Sequence, residues 1–295
     1  MSRPCRYTSW FSVIDCLPIS YGITRRHEIV IMKAFYDYGN EANSLIYDVF
    51  TLASVFGTKD EWKPFERDWR EALKGNKNAP YLHTTDALAK IPRGPYVGWT
   101  KPEIDKLLTD CVAVIARHIA IRITAHNPGR MGLGVNTQTI NLKDYKRAKS
   151  FKPDLPPVTE ICATNAIVRT LEWKEAVNMV ETRADFIHMI FDQNEPFFGH
   201  VEDRFKNKKA HKALPDLDCI SSRTEADMRD QPALQMADVI AWSCNHSQVR
   251  YRWKNRLMSF KWIRDDFNYD GLVNPRQDSI DLVKTWRLPP RGAIK

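Results

Sequence analysis

Three aspartates stand where a folded chain does not ordinarily leave an acid. Asp37 and Asp192 each close an apolar run, Ile29 to Tyr36 and Phe186 to Phe191, and Asp238 lies inside the apolar stretch Leu234-Gln235-Met236-Ala237-Asp238-Val239-Ile240. A carboxylate in such surroundings is strongly disfavoured unless it is paired or binds a cation. Oxygen ligands from two strand ends and one helix can converge on a hard cation, Mg2+ or Mn2+, and the chemistry such a site supports is in-line phosphodiester cleavage. Gln235 is three residues before Asp238, so the two share a helix face, and Gln235 is expected to orient Asp238 or a phosphate. His83, in a connecting segment with Asp86, is a candidate to relay a proton or hold a scissile-side oxygen. Each residue also has a structural alternative. Asp37 would serve a turn before Gly39, Asp192 a cap before Asn194, Asp238 an ion pair with an arginine, and His83 would be a surface histidine.

The elements that must carry these residues are legible to different degrees. Ile29 to Tyr36 reads as a buried strand, and Leu45 to Phe56 as its antiparallel partner after the turn Tyr38-Gly39-Asn40. Asp60 is expected to cap a helix bearing Trp62, Phe65, Trp69 and Leu73 on one side, which Gly75 stops, and the tryptophans read as core. Thr100-Lys101-Pro102-Glu103 is a capping box ahead of Ile104, Leu107, Leu108, Cys111, Val112 and Ile115 at helical spacing. Ile119, Ile121 and Ile123 then alternate, which predicts a strand. Residues 127–157 are polar, rich in Gly and Pro, and carry Lys143, Lys146, Arg147, Lys149 and Lys152, so they read as an inserted basic loop. A helix to about Trp173, a strand ending at Asp192, a short strand near Cys219 and Ile220, and a helix from Pro232 to His246 complete the pattern.

Composition bounds the rest. The 295 residues are 43% hydrophobic and 27% charged, values of an ordinary folded protein, and exclude collagen-like, coiled-coil and wholly disordered chains. No apolar run reaches the length of a membrane span, and Asp15 cuts the stretch Trp10 to Ile14 below a signal-peptide core. Six scattered cysteines without a Cys-x-x-Cys pair point to reduced thiols in a cytoplasm. Forty-four basic against thirty-six acidic residues leave a charge of +8, which favours an anionic partner. Between His246 and Arg264 six Lys/Arg alternate with Tyr251, Trp253, Phe260 and Trp262 and no acid, a mixture suited to phosphate contacts with base stacking or, alternatively, to a solvated helix. The expected organisation is an N-terminal extension over 1–27, a mixed α/β domain over 28–250 and a basic, aromatic extension over 251–295.

Taken in order, these pieces resemble the family catalogued as domain of unknown function 3800, which is similar to the ribonuclease H-like superfamily. The resemblance rests on Leu234-Gln235-Met236-Ala237-Asp238-Val239-Ile240-Ala241, with support from Asp37, the Trp62, Phe65, Trp69 and Leu73 helix, Leu82-His83 with Asp86, and Ile190-Phe191-Asp192. It implies a mixed sheet of about five strands flanked by helices, on which Asp37, Asp192 and Asp238 meet as the metal site of a nuclease acting on DNA or RNA. It further implies an acid on the helix after the third strand, for which Glu160 is the nearest candidate and Glu172 and Glu175 compete. One departure stands out: the family's first-strand Asp-Glu-Ser-Gly is Asp37-Tyr38-Gly39-Asn40 here. The loss of the second acid motivates a rival expectation, a catalytically inactive module of the same fold that binds nucleic acid or protein.

Overall fold

A computed structural model describes residues 31–38, 49–119, 132–151, 153–178, 186–193, 196–206, 218–246 and 254. The chain runs β1 (Ile31–Tyr38), β2 (Val49–Thr58), α1 (Lys59–Lys74), α2 (Thr84–Ala87), α3 (Lys101–His118), β3 (Gly134–Asn141), α4 (Leu142–Phe151), α5 (Val158–Asn178), β4 (Phe186–Asp192), α6 (Pro196–Lys206), β5 (Ile220–Ala226) and α7 (Pro232–Asn245). The strands form one sheet in the order β3-β2-β1-β4-β5. β2 is antiparallel to both β1 and β3, while β4 is parallel to both β1 and β5.

Alternation along the central strands separates two cores. On β2, Ala53 and Val55 join the cluster built with α1, α3 and α7, whereas Phe50, Leu52 and Phe56 join the cluster built with α5. On β4, Ile187, Met189 and Phe191 face the α5 side and Ile190 faces the α7 side. Asp192 is two residues beyond Ile190, so period-two geometry turns it toward α7 as well. With both faces covered, the inner strands are nearly continuous in apolar residues, which is why they were readable.

Capping fixes the helices against the sheet. Thr58, not Asp60, is the N-cap of α1, its backbone and hydroxyl both donating to Glu61 Oε2 at 2.6 and 3.0 Å. The Thr100–Glu103 box on α3 is present as expected. Asp68 of α1 joins these two helices, accepting from His118 at 2.8 Å and from Arg117 at 3.0 Å. Those bonds, the one from His118 foremost, hold its carboxyl down at about 2.

Gly57 marks a close approach. A Cβ there would lie 2.6 Å from Leu133 Cδ2 and 3.1 Å from Glu61 Oε2, the oxygen of the α1 cap. Leu133 is fully buried, so neither neighbour can yield without loss. Gly57→Ala should therefore destabilise the fold by about 1–3 kcal/mol. An unchanged urea midpoint would contradict this crowding.

The reading of 127–157 as a loop needs correction. Within it, Gly134–Asn141 is β3 and Leu142–Phe151 is α4. β3 is a polar edge strand whose pairing comes from β2, including a 3.0 Å contact between Thr51 and Thr139 hydroxyls. The expectations for 1–27, for a strand through Ile121 and Ile123, and for most of 251–295 fall outside the described residues. Lys254 is described, and it is buried, its Nζ donating to the carbonyl of His246 at the end of α7. That basic residue caps a helix rather than facing a phosphate. Among the described residues no helix is long and apolar enough to cross a membrane.

Candidate active site

The site forms where the C-terminal ends of β1 and β4 meet the first turns of α7. Tyr36 pairs with Phe191 across the parallel strands, so Asp37 and Asp192 each stand one residue beyond the same rung. The backbone of Asp37 also lies opposite Ala53 of β2. Its side chain is outside what the structure describes. α7 packs over β1 and β2, and every one of its residues is buried. Pro232 at its N-terminus is pre-set for the first helical turn.

Asp238 is only 3% exposed. Its Oδ2 accepts from the backbone N–H of Thr84 at 2.6 Å. Burial pushes its carboxyl up, and the charge on Asp86 pushes the same way. The cationic form of His83 and the Thr84 N–H oppose them. Asp192 accepts from the N–H of Met228 at 3.0 Å, in the turn between β5 and α7. Burial foremost, with the negative charges of Asp227 and Asp238, raises it to about 6 against those backbone bonds. The charge on Asp238 thus reaches Asp192 and resists its ionisation. The alternative for Asp238, an ion pair with an arginine, is absent among the described contacts.

His83 balances this pair. Its Nδ1 is 2.8 Å from Asp86 Oδ2. Burial alone would lower its pKa, but the carboxylates of Asp238, Asp86 and Asp192 outweigh burial and raise it. His83 is visible in the sequence, whereas the amide and hydroxyl groups that mount it are not. Tyr96 is chief among these, its hydroxyl donating to the Tyr81 carbonyl at 2.8 Å and accepting from His83 N–H at 3.0 Å.

Gln235 has a different job from the one expected. It touches neither Asp238 nor an open site. Its Oε1 accepts from Trp69 Nε1 at 2.8 Å and from Leu82 N–H at 2.9 Å, and its Nε2 donates to the carbonyls of Met228 at 2.9 Å and Arg229 at 3.4 Å. All four capacities of the amide are used internally. It is a clasp that joins α1, the segment before His83 and the turn behind Asp192.

No protein-family model matches this chain, and no curated protein does. The chemistry of the site is carried by its own geometry.

Glu160 is a second correction. It lies in the first turn of α5, whose packed residues are on the face opposite α7. That face separates Glu160 from Asp192 and Asp238, and among the described residues no three His, Cys, Asp or Glu side chains, those of Asp192, Asp238 and His83 included, are grouped to hold a metal ion. The basic residues Lys143, Lys146, Arg147 and Lys149 lie on α4. That helix packs beside β3, and Leu142 at its start belongs to the α5-side core.

The pair still suits a cation. Two carboxylates are both raised mainly by burial, and the charge of each acts to raise the pKa of the same imidazole. All-oxygen donors of this kind match a hard divalent ion rather than a soft one.

Proposed function

We propose that this chain is a metal-dependent nuclease on a ribonuclease H-like scaffold, with Asp192 and Asp238 as the core of its site and Asp37 completing it. The observation that carries the reading is that Asp192, at the end of β4, and Asp238, on α7, both raise the pKa of His83, while Asp37 and Asp192 end adjacent parallel strands one residue beyond the same rung. The strand order β3-β2-β1-β4-β5, with β4 and β5 running parallel to β1, supports the scaffold. So does the run Leu234-Gln235-Met236-Ala237-Asp238, which resembles the late helix of domain of unknown function 3800.

When bound, Mg2+ or Mn2+ would supply the charge that lowers the pKa of water and steadies the leaving oxygen. Asp192, Asp238 and Asp37 would hold it, without Glu160. In the hydrolysis, water adds to phosphorus as it gives up a proton, the P–O bond to the leaving oxygen breaks, and that oxygen takes up a proton. We assign to His83, whose side chain is one-third exposed and so open to substrate, the acceptance of the water's proton at Nε2 and its return to the leaving oxygen. Asp192 is backed by Met228 N–H and Asp238 by Thr84 N–H, which fixes one oxygen of each. Gln235 acts at one remove, by holding both backing segments.

The test is incubation of the purified chain with labelled single-stranded DNA, double-stranded DNA, RNA and hybrid, each with Mg2+, with Mn2+ and with chelator. Metal-dependent cleavage of at least one substrate is expected. Silence in every lane, with no rise in melting temperature on adding Mn2+, would leave the inactive binding module as the better account.

A further inference from the structure

Three consecutive backbone amides, those of Leu82, His83 and Thr84, are each taken by a different buried side chain. Leu82 N–H goes to Gln235 Oε1 at 2.9 Å, His83 N–H to the Tyr96 hydroxyl at 3.0 Å, and Thr84 N–H to Asp238 Oδ2 at 2.6 Å. The carbonyl of His83 accepts from Ala87 N–H at 3.0 Å as α2 begins. A connecting segment ordinarily leaves its amides to water. Here anchors from α7 and from the turn at Tyr96 hold the backbone of one histidine on both sides. Backbone pinning still leaves the imidazole free to rotate about its own two side-chain torsions. The remaining contact removes that freedom, because Asp86 Oδ2 meets Nδ1 at 2.8 Å.

We propose that Asp86 is a positioning residue that fixes His83 as the Nδ1–H tautomer and turns Nε2 toward the substrate side of the Asp192–Asp238 pair. This rests on the nuclease reading of the same site. A carboxylate accepts and cannot donate, so its partner nitrogen must carry the proton, and the lone pair is left on Nε2. An orienting acid behind a histidine is worth having only where the ring must act in one orientation. The alternative is a surface ion pair at i,i+3 spacing, which would have no effect on the tautomer-dependent chemistry.

The experiment uses the full chain with 15N-labelled imidazoles, and reads two-bond proton–nitrogen correlations in alkaline buffer, with His83→Gln assigning the resonance. Wild type should show the Nδ1–H form, and Asp86→Asn, whose amide can donate to Nδ1, should show the Nε2–H form. In cleavage assays Asp86→Asn should lower kcat by about 100-fold while KM stays within about twofold, and Asp86→Glu should recover part of the loss. The Nε2–H form in wild type, no change of form in Asp86→Asn, or wild-type kcat in that variant would each overturn the proposal. Absence of cleavage by wild type would instead overturn the nuclease reading, and the tautomer result would then decide by itself whether Asp86 positions His83.

Discussion

Asp192→Asn should cost the protein its cleavage activity, by about 10³-fold, without costing it stability. Asn keeps an Oδ1 that accepts from Met228 N–H, so the local geometry survives. The charge does not, and with it goes the ability to share a cation. The stability side follows from linkage. The folded-state pKa of Asp192 is raised to about 6, above its ordinary value. A raised pKa contributes stability that is fully present below the ordinary value and is lost as pH climbs through 6. At neutral pH the ionised Asp192 is therefore a burden on the fold. For a fully buried group a displacement of that size is worth about 3 kcal/mol. Partial exposure of Asp192 cuts it to on the order of 1 kcal/mol. In metal-free neutral buffer the variant should melt at or slightly above wild type, and the advantage should vanish in mildly acidic buffer. Mn2+ at about 100 times its Kd should stabilise wild type by about 2.7 kcal/mol and leave the variant unmoved. A variant that cleaves like wild type, or that gains the same metal shift, would remove Asp192 from the site.

The same site shows which parts of a fold its sequence can announce. β2, β4 and α7 are buried on most sides, and their apolar runs say so directly. The Thr100–Glu103 box announces α3 because a cap is a local arrangement, settled within four residues. β3 is silent for the opposite reason. Gly134–Asn141 has only Val135 and Ile140 as apolar residues, five apart and so out of period-two alternation, and it becomes a strand through eight partners on β2. α4 is equally silent, being a basic helix whose described core contacts are Leu142 and Tyr145.

For the site, the sequence locates acids in apolar company and stops there. Asp192 and Asp238 stand out because their surroundings make them expensive. What satisfies them is backbone, the N–H groups of Met228 and Thr84, and a backbone amide has no letter in the sequence. Chain order is all that points to Glu160. Order does not say which face of the sheet a helix covers, and α5 covers the one away from Asp238. Helix spacing set Gln235 beside Asp238 correctly. One turn along α7, however, the neighbours change from Thr84 to Trp69, Leu82 and the Met228 turn, and so does the residue's task.

That task gives the largest expected effect on stability. Gln235→Leu keeps the volume of the side chain and removes all four of its hydrogen bonds. Trp69 Nε1–H, Leu82 N–H and the Met228 carbonyl are then stranded around a residue that is 1% exposed, where water cannot replace the amide. Each stranded group carries a penalty of about 1–3 kcal/mol, and because they share one partner the sum is less than additive. A loss of about 3–5 kcal/mol is expected, a large part of the stability of an ordinary domain. Gln235→Glu separates the two halves of the clasp. Its carboxylate still accepts from Trp69 and Leu82, but it can donate to neither Met228 nor Arg229, and it sets a negative charge against two carbonyl oxygens. If the clasp holds the fold through both ends, Glu should be no better tolerated than Leu in urea denaturation. A Glu variant close to wild type would mean that the bonds to Trp69 and Leu82 suffice. A Leu variant close to wild type would mean that Gln235 is not a clasp, and its place beside Asp238 would again call for a role in the chemistry.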